Sequence, residues 1–188
     1  MEWLRNLIWV LTASGCTLYL GQTWLKAASA ERQSVLFCAL LALLLITGLA
    51  SLVLLESSFG WNLSQARQWL DQAARLLGLP LLTLGIYSLS QGGVWAKATW
   101  GRWVLGLCLA FELARILNAS LGYAQLLAVA SAALLLVAAW PWRIGPKLWI
   151  SLGCAGLVLA LPWLNPNAQL WAWLLIGPLA VWLIRHQS

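Results

Sequence analysis

From Ser34 to Leu55 the chain reads SVLFCALLALLLITGLASLVLL, without one charged side chain. At about 1.5 Å of rise per residue, a helix of that length crosses the roughly 30 Å hydrocarbon core of a bilayer. Backbone N–H and C=O groups in lipid have no water to bond, so a spanning segment must be a helix or part of a closed barrel. Long apolar runs without alternation select the helix. Hydrophobic residues make up 62% of the 188-residue chain and charged residues 9%, which leaves no room for a separate soluble domain. The expected fold is all-α: a polytopic integral membrane helix bundle with six or seven spans plus one interfacial amphipathic helix. Residues 1–188 form a single transmembrane domain.

Seven candidate spans follow from the apolar runs: Leu7–Leu25, Ser34–Leu55, Ala73–Ser90, Trp103–Asn118, Leu121–Trp140, Leu148–Leu164 and Leu170–Ile184. The third, fourth and sixth are short or interrupted, hence six or seven. The N-terminal stretch lacks a small-x-small cleavage site after its apolar part, so it reads as a retained first helix and not a signal peptide. Between spans two and three, Ala66, Trp69, Leu70, Ala73 and Leu77 recur at helical spacing, with Arg67, Gln68, Asp71 and Arg75 on the other face. This is the pattern of a helix lying in the membrane interface before the chain turns into span three. Pro80 and Pro178 fall inside spans, where proline kinks a helix or marks its first turn.

The net charge of +6 is spread over short loops with no basic run. It reads as lipid headgroup contact and topology, with no nucleic acid partner. Counted on alternate sides, Arg5, Arg67, Arg75 and Arg115 face Lys26, Arg32, Lys97, Arg102, Arg143, Lys147 and Arg185. The richer side is expected to be cytoplasmic, with the N-terminus out and the C-terminus in.

Catalytic signatures are scarce. Cys16, Cys38, Cys108 and Cys154 each sit in an apolar run with no CxxC pair, which reads as packing and not metal or thiol chemistry. The single histidine, His186, lies in the C-terminal tail. No triad or phosphate-binding glycine loop is present, so the chain is expected not to be an enzyme. The intramembrane charge pair expected from sequence is Glu112 and Arg115, three apart and so on one helix face. It is either a structural pair near a helix end, with Arg115 reaching the interface, or a transport carboxylate with its counter-ion.

Most of the 15 tryptophans fall near expected span ends: Trp24, Trp61, Trp69, Trp140, Trp142, Trp163, Trp171, Trp173 and Trp182. Indole is apolar with one N–H donor and favours the headgroup zone. Trp9, inside span one, is the main exception.

The stretch from Leu70 to Trp103 adds a resemblance. Leu70-Asp71, Gly78, Pro80-Leu81-Leu82-Thr83, Gly85-Ile86, Gly92, Trp95-Ala96, Trp100-Gly101 and Trp103 together resemble the tryptophan-rich segment of the cytochrome c assembly family of haem-handling membrane proteins. The resemblance implies haem handling, or assembly of a haem-containing complex, in a bacterial inner membrane. It implies Trp95, Trp100 and Trp103 as cofactor-binding residues that offer flat faces to a porphyrin. Two departures stand out. Val104-Leu105-Gly106-Leu107 replaces the family's tryptophan-x-tryptophan-aspartate, and the family's haem-ligating histidines have no counterpart. Binding through the macrocycle is what remains. TWGRWVLGLCLAFELARILNA is more faintly similar to the copper-resistance membrane family, but copper ligands are scarce here. The alternatives are a non-catalytic subunit or scaffold with membrane protein partners, and a small-solute or metal transporter using Glu112.

The resemblance and the charge count disagree about one loop. The family keeps its tryptophan segment outside the cytoplasm, whereas Lys97 and Arg102 belong to the side counted as cytoplasmic. An impermeant thiol reagent applied to intact cells carrying Ala98→Cys decides the matter. Protection is the outcome expected from the charges; labelling sides with the resemblance.

Overall fold

The computed structural model describes residues 2–27, 29–92, 95–140, 145–164 and 166–185. Arg143, Trp142 and His186, which entered the topology, belt and ligand expectations, lie outside the described residues. Among the described residues there are seven continuous helices. They are α1 (Glu2–Leu25), α2 (Ala30–Phe59), α3 (Ser64–Ser90), α4 (Lys97–Ile116), α5 (Ser120–Ala139), α6 (Pro146–Ala160, tightening into a 3-10 turn at Leu161–Trp163) and α7 (Pro166–Arg185). Four of them, α2, α3, α5 and α6, are long and apolar enough to cross a membrane. In α7 the apolar part is the shorter Trp171–Arg185.

Local sequence sets the helix ends. The Ser29 hydroxyl accepts from the Arg32 N–H and opens α2, as an N-cap should. Gly60 closes α2 with φ +66°, and its N–H donates to the Glu56 carbonyl at 3.1 Å. A side chain would strain that left-handed backbone. Asn118 makes the sharp α4–α5 turn at φ +52°, a conformation asparagine tolerates better than most residues. Pro146 begins α6 at a position where a missing N–H costs nothing.

The amphipathic stretch is helical, but it does not end before the apolar run that follows it. Ser64–Ala73 runs through a π turn at Ala74–Gly78 straight into Leu79–Ser90. Pro80 explains the turn. It has no N–H to give, and its ring crowds the carbonyl four residues back. In the π turn the Leu79 N–H reaches back five residues to the Ala74 carbonyl, and the widened ladder accommodates Pro80 without a break. The amphipathic half and the apolar half are therefore one rod.

That rod is the centre of the bundle. Every residue from Leu79 to Ile86 is buried. One side of α3 packs on α2 and the other on α5, while α7 closes against α1, α3 and α6. Helix α4 is peripheral: among the described residues it buries only Trp100, Leu107 and Ala114. Its outer face leaves Leu105, Leu109 and Ile116 exposed, and α5 leaves Leu126 and Leu136 exposed. In water such a surface would associate; against lipid tails it is matched.

Small residues let α2 and α3 approach. A Cβ built on Gly78 would stand 3.6 Å from the Ala42 carbonyl oxygen, an ordinary contact. Gly78→Ala should therefore leave the unfolding midpoint in detergent nearly unchanged. Gly78→Leu must push the α2 backbone away and should cost about 1–3 kcal/mol, read from the same melt.

Candidate functional site

The three tryptophans of the sequence motif do meet, but only Trp95 lies in the loop. Trp95 lies just before α4, while Trp100 and Trp103 are on its first turns. Trp95 stacks on Trp103 with ring centroids 6.2 Å apart and 21° between planes, and meets Trp100 at 5.3 Å and 36°. Tyr87 of α3 adds an edge contact to Trp95 at 6.3 Å. The indoles thus spend much of their flat surface on each other, and the cluster pins the start of α4 to the end of α3. Trp103 remains exposed, whereas Trp100 is 2% exposed.

Beside the cluster, α1, α2 and α4 enclose a groove of about 440 Å³. Trp24, Phe37, Trp100, Val104 and Leu105 form its apolar wall, and Gln33, Ser34 and Lys97 its polar edge. The Trp100 indole N–H is buried there with no hydrogen-bond partner. Cys38 also lines the groove; it is a free thiol, as are Cys16, Cys108 and Cys154. Cys108 is exposed and not buried as its apolar run suggested. Among the described residues no group of three His, Cys, Asp or Glu side chains is placed to hold a metal ion.

Glu112 and Arg115 pair as their spacing implied. The Arg115 Nε donates to Glu112 Oε2 at 2.9 Å, and Nη2 donates to Oε1 in a bidentate arrangement. The pair is on the exposed face of α4 near its C-terminal end. The guanidinium also lies 4.8 Å over the Trp69 ring of α3, and Phe111 meets the same ring edge-on at 6.4 Å. A cation over an indole face is attractive in its own right. The contact ties the far end of α4 to the amphipathic half of α3.

A third place was not assembled from sequence. The polar face of α3, the end of α2 and the start of α7 surround a cavity of about 300 Å³. Two ion pairs stand at its rim. Arg67 reaches Glu56 of α2 at 3.1 Å, and Arg75 grips Asp71 with Nε–Oδ1 at 3.0 Å and Nη2–Oδ2 at 2.6 Å. Arg75 also donates to Gln169 Oε1 at 2.7 Å, and the Gln169 amide donates to the Leu161 and Leu164 carbonyls at 3.2 and 2.7 Å. Gln169 thereby joins α3, α6 and α7. From α1 and α7 come Trp9 and Trp173, each 2% exposed, each with its indole N–H unpartnered. Trp173 is thus no belt residue: packing between α7 and the first helices takes it inside.

Two signals pointed to this cavity. Trp9 sits mid-span, where a headgroup anchor has no use, and Asp71 and Arg75 stand four apart on the polar face of α3, spaced to pair. Compared with family models, with curated proteins and with solved structures, the chain finds no match.

Gln169→Ala removes the amide that serves two helix-end carbonyls and Arg75, and should lower stability by about 1–3 kcal/mol in a detergent melt. Glu56→Gln breaks only a partly exposed pair and should cost less than about 1 kcal/mol.

Proposed function

We propose that the chain is a polytopic membrane protein with α1–α7 all embedded, and that it binds a flat, acidic, mostly apolar ligand of the haem class in the groove beside Trp100. The span count rests on packing: α1 lies along α2 and α7 along α1 and α6, so the less apolar helices follow the four that qualify by length and apolarity. The groove carries the ligand reading. Its volume of about 440 Å³ falls in the roughly 300–1,000 Å³ range of small-molecule sites. Its wall of Trp24, Phe37 and Trp100 suits a conjugated ring, and exposed Lys97 at its edge suits a carboxylate.

The site differs from the one the motif suggested. Trp95 and Trp103 are stacked on each other, so they support the groove by fixing Trp100 and do not face the ligand themselves. The described residues lining the groove include no histidine, so the macrocycle and its acidic edge supply the binding. Haem, once bound, would bring its own redox and ligand chemistry; Trp100 and Phe37 would hold the ring and Lys97 its carboxylates. The resemblance carries with it an assembly role in a bacterial plasma membrane and a non-enzymatic one. A scaffold is the second reading, favoured by the mutual packing of Trp95, Trp100 and Trp103, which needs no ligand.

Haem titrated into the detergent-purified protein should give a saturable Soret band. Val104→Trp, which fills the groove without opening the core, should abolish it, and Lys97→Glu should weaken it by roughly tenfold, the loss of one charge-assisted contact. No saturable band, or equal bands in wild type and Val104→Trp, leaves the scaffold as the function.

A further inference from the structure

Among the described residues, the cavity between α1, α2, α3 and α7 shares no lining residue with the groove beside α4. Its rim is built of opposite charges joined in two ion pairs. Arg67 pairs with Glu56 and Arg75 with Asp71 among the lining residues, and none of the four is fully buried. Such a rim has no net charge, and a ligand bearing a single sign would break one pair to gain another. A ligand bearing both signs meets each with its complement.

The cavity floor adds a requirement for oxygen. An indole N–H donates and never accepts. Trp9 and Trp173 each leave that donor buried and unpartnered among the lining residues. Buried donors are seldom left so, because the lost hydration is not returned. An anionic group with several acceptor oxygens answers both indoles and the two guanidinium groups together. The cavity opens where α2 ends and the polar half of α3 begins. In a chain whose α2 and α3 cross a bilayer, that is the level of the lipid headgroups.

We infer that this cavity binds an ammonium-bearing phosphate ester, the phosphoethanolamine group, with phosphate oxygens on the Trp9 and Trp173 N–H groups and the arginines, and the ammonium on Glu56 and Asp71. Two sources share this chemistry: the headgroup of phosphatidylethanolamine, and the free amino-phosphate in solution. The Trp9 and Trp173 rings close the inner wall, and Gln169 fixes Arg75 in place from α7.

The test uses the full chain purified from membranes in mild detergent. Native mass spectrometry reads retained lipid after incubation with phosphatidylethanolamine or with phosphatidylglycerol, which lacks the ammonium. A thermal melt with free phosphoethanolamine reads the soluble source. Selective retention of phosphatidylethanolamine identifies the headgroup; a melt shift with no lipid retained identifies the free compound; both supports either entering the same cavity. The double variant Trp9→Phe/Trp173→Phe keeps the rings and removes only the N–H donors. It should melt no lower than wild type yet bind roughly tenfold more weakly, as expected for lost hydrogen bonds to a charged group. Glu56→Gln/Arg67→Gln should weaken binding likewise, and it answers the case in which the tryptophan variant does not fold. Equal retention of both lipids, binding unchanged in the variants, or no binding of either probe overturns the inference.

Discussion

A proline without an N–H stands in the middle of the helix that everything else packs against. Pro80 would ordinarily end or bend α3. The π turn at Ala74–Gly78 absorbs the missing hydrogen bond instead, and α3 stays one element from Ser64 to Ser90. Its second half is the buried axis between α2 and α5. Its first half has no buried residue and carries the charges. Because the halves are continuous, the polar face is held at a fixed angle to the bundle. Arg67 can then meet Glu56, and Arg75 can meet Gln169, 94 residues further along. Were the two halves separate, neither cavity rim nor the Trp69–Arg115 contact would be held by the core.

Tryptophan does two different jobs in this chain. At helix ends Trp61, Trp140, Trp149 and Trp163 lie exposed, as indole at a membrane interface should. Inside, Trp9, Trp100 and Trp173 are closed off from solvent with their N–H groups unpaired. The groove beside α4 and the cavity beside α3 are lined by these buried three. The groove is mostly apolar with one cation; the α3 cavity balances two cations against two anions. The two sites therefore suit different chemistry and sit against different helices.

The seven helices among the described residues were legible because each overlaps an apolar run; six moved only at their ends, while α3 begins at Ser64 instead of Ala73. The continuity of α3 was not legible: a polar face followed by Gly78 and Pro80 reads as a boundary, and nothing local reports that a π turn spans it. The motif tryptophans were rightly grouped, since Trp95, Trp100 and Trp103 touch. The loop holds Trp95 alone, because Lys97 already begins α4 and takes Trp100 and Trp103 into the helix. The α3 cavity was hidden for a plainer reason. Asp71 and Arg75 read as the polar face of an interfacial helix, Glu56 and Gln169 carry no signal of their own, and Trp173 lies near enough to a helix start to pass for a belt residue. Only the fold brings them to one opening.

The continuity of α3 through Pro80 is the claim on which the rest hangs, and a distance across it is the direct test. Spin labels at Ala66→Cys and Gln91→Cys, in a cysteine-free background in lipid nanodiscs, bracket the π turn from exposed positions. A single rod at about 1.5 Å per residue predicts one narrow distribution centred near ~37 Å between backbones. A broad distribution, or one centred well below that value, would mean that the chain turns between its polar and apolar halves and would contradict the account.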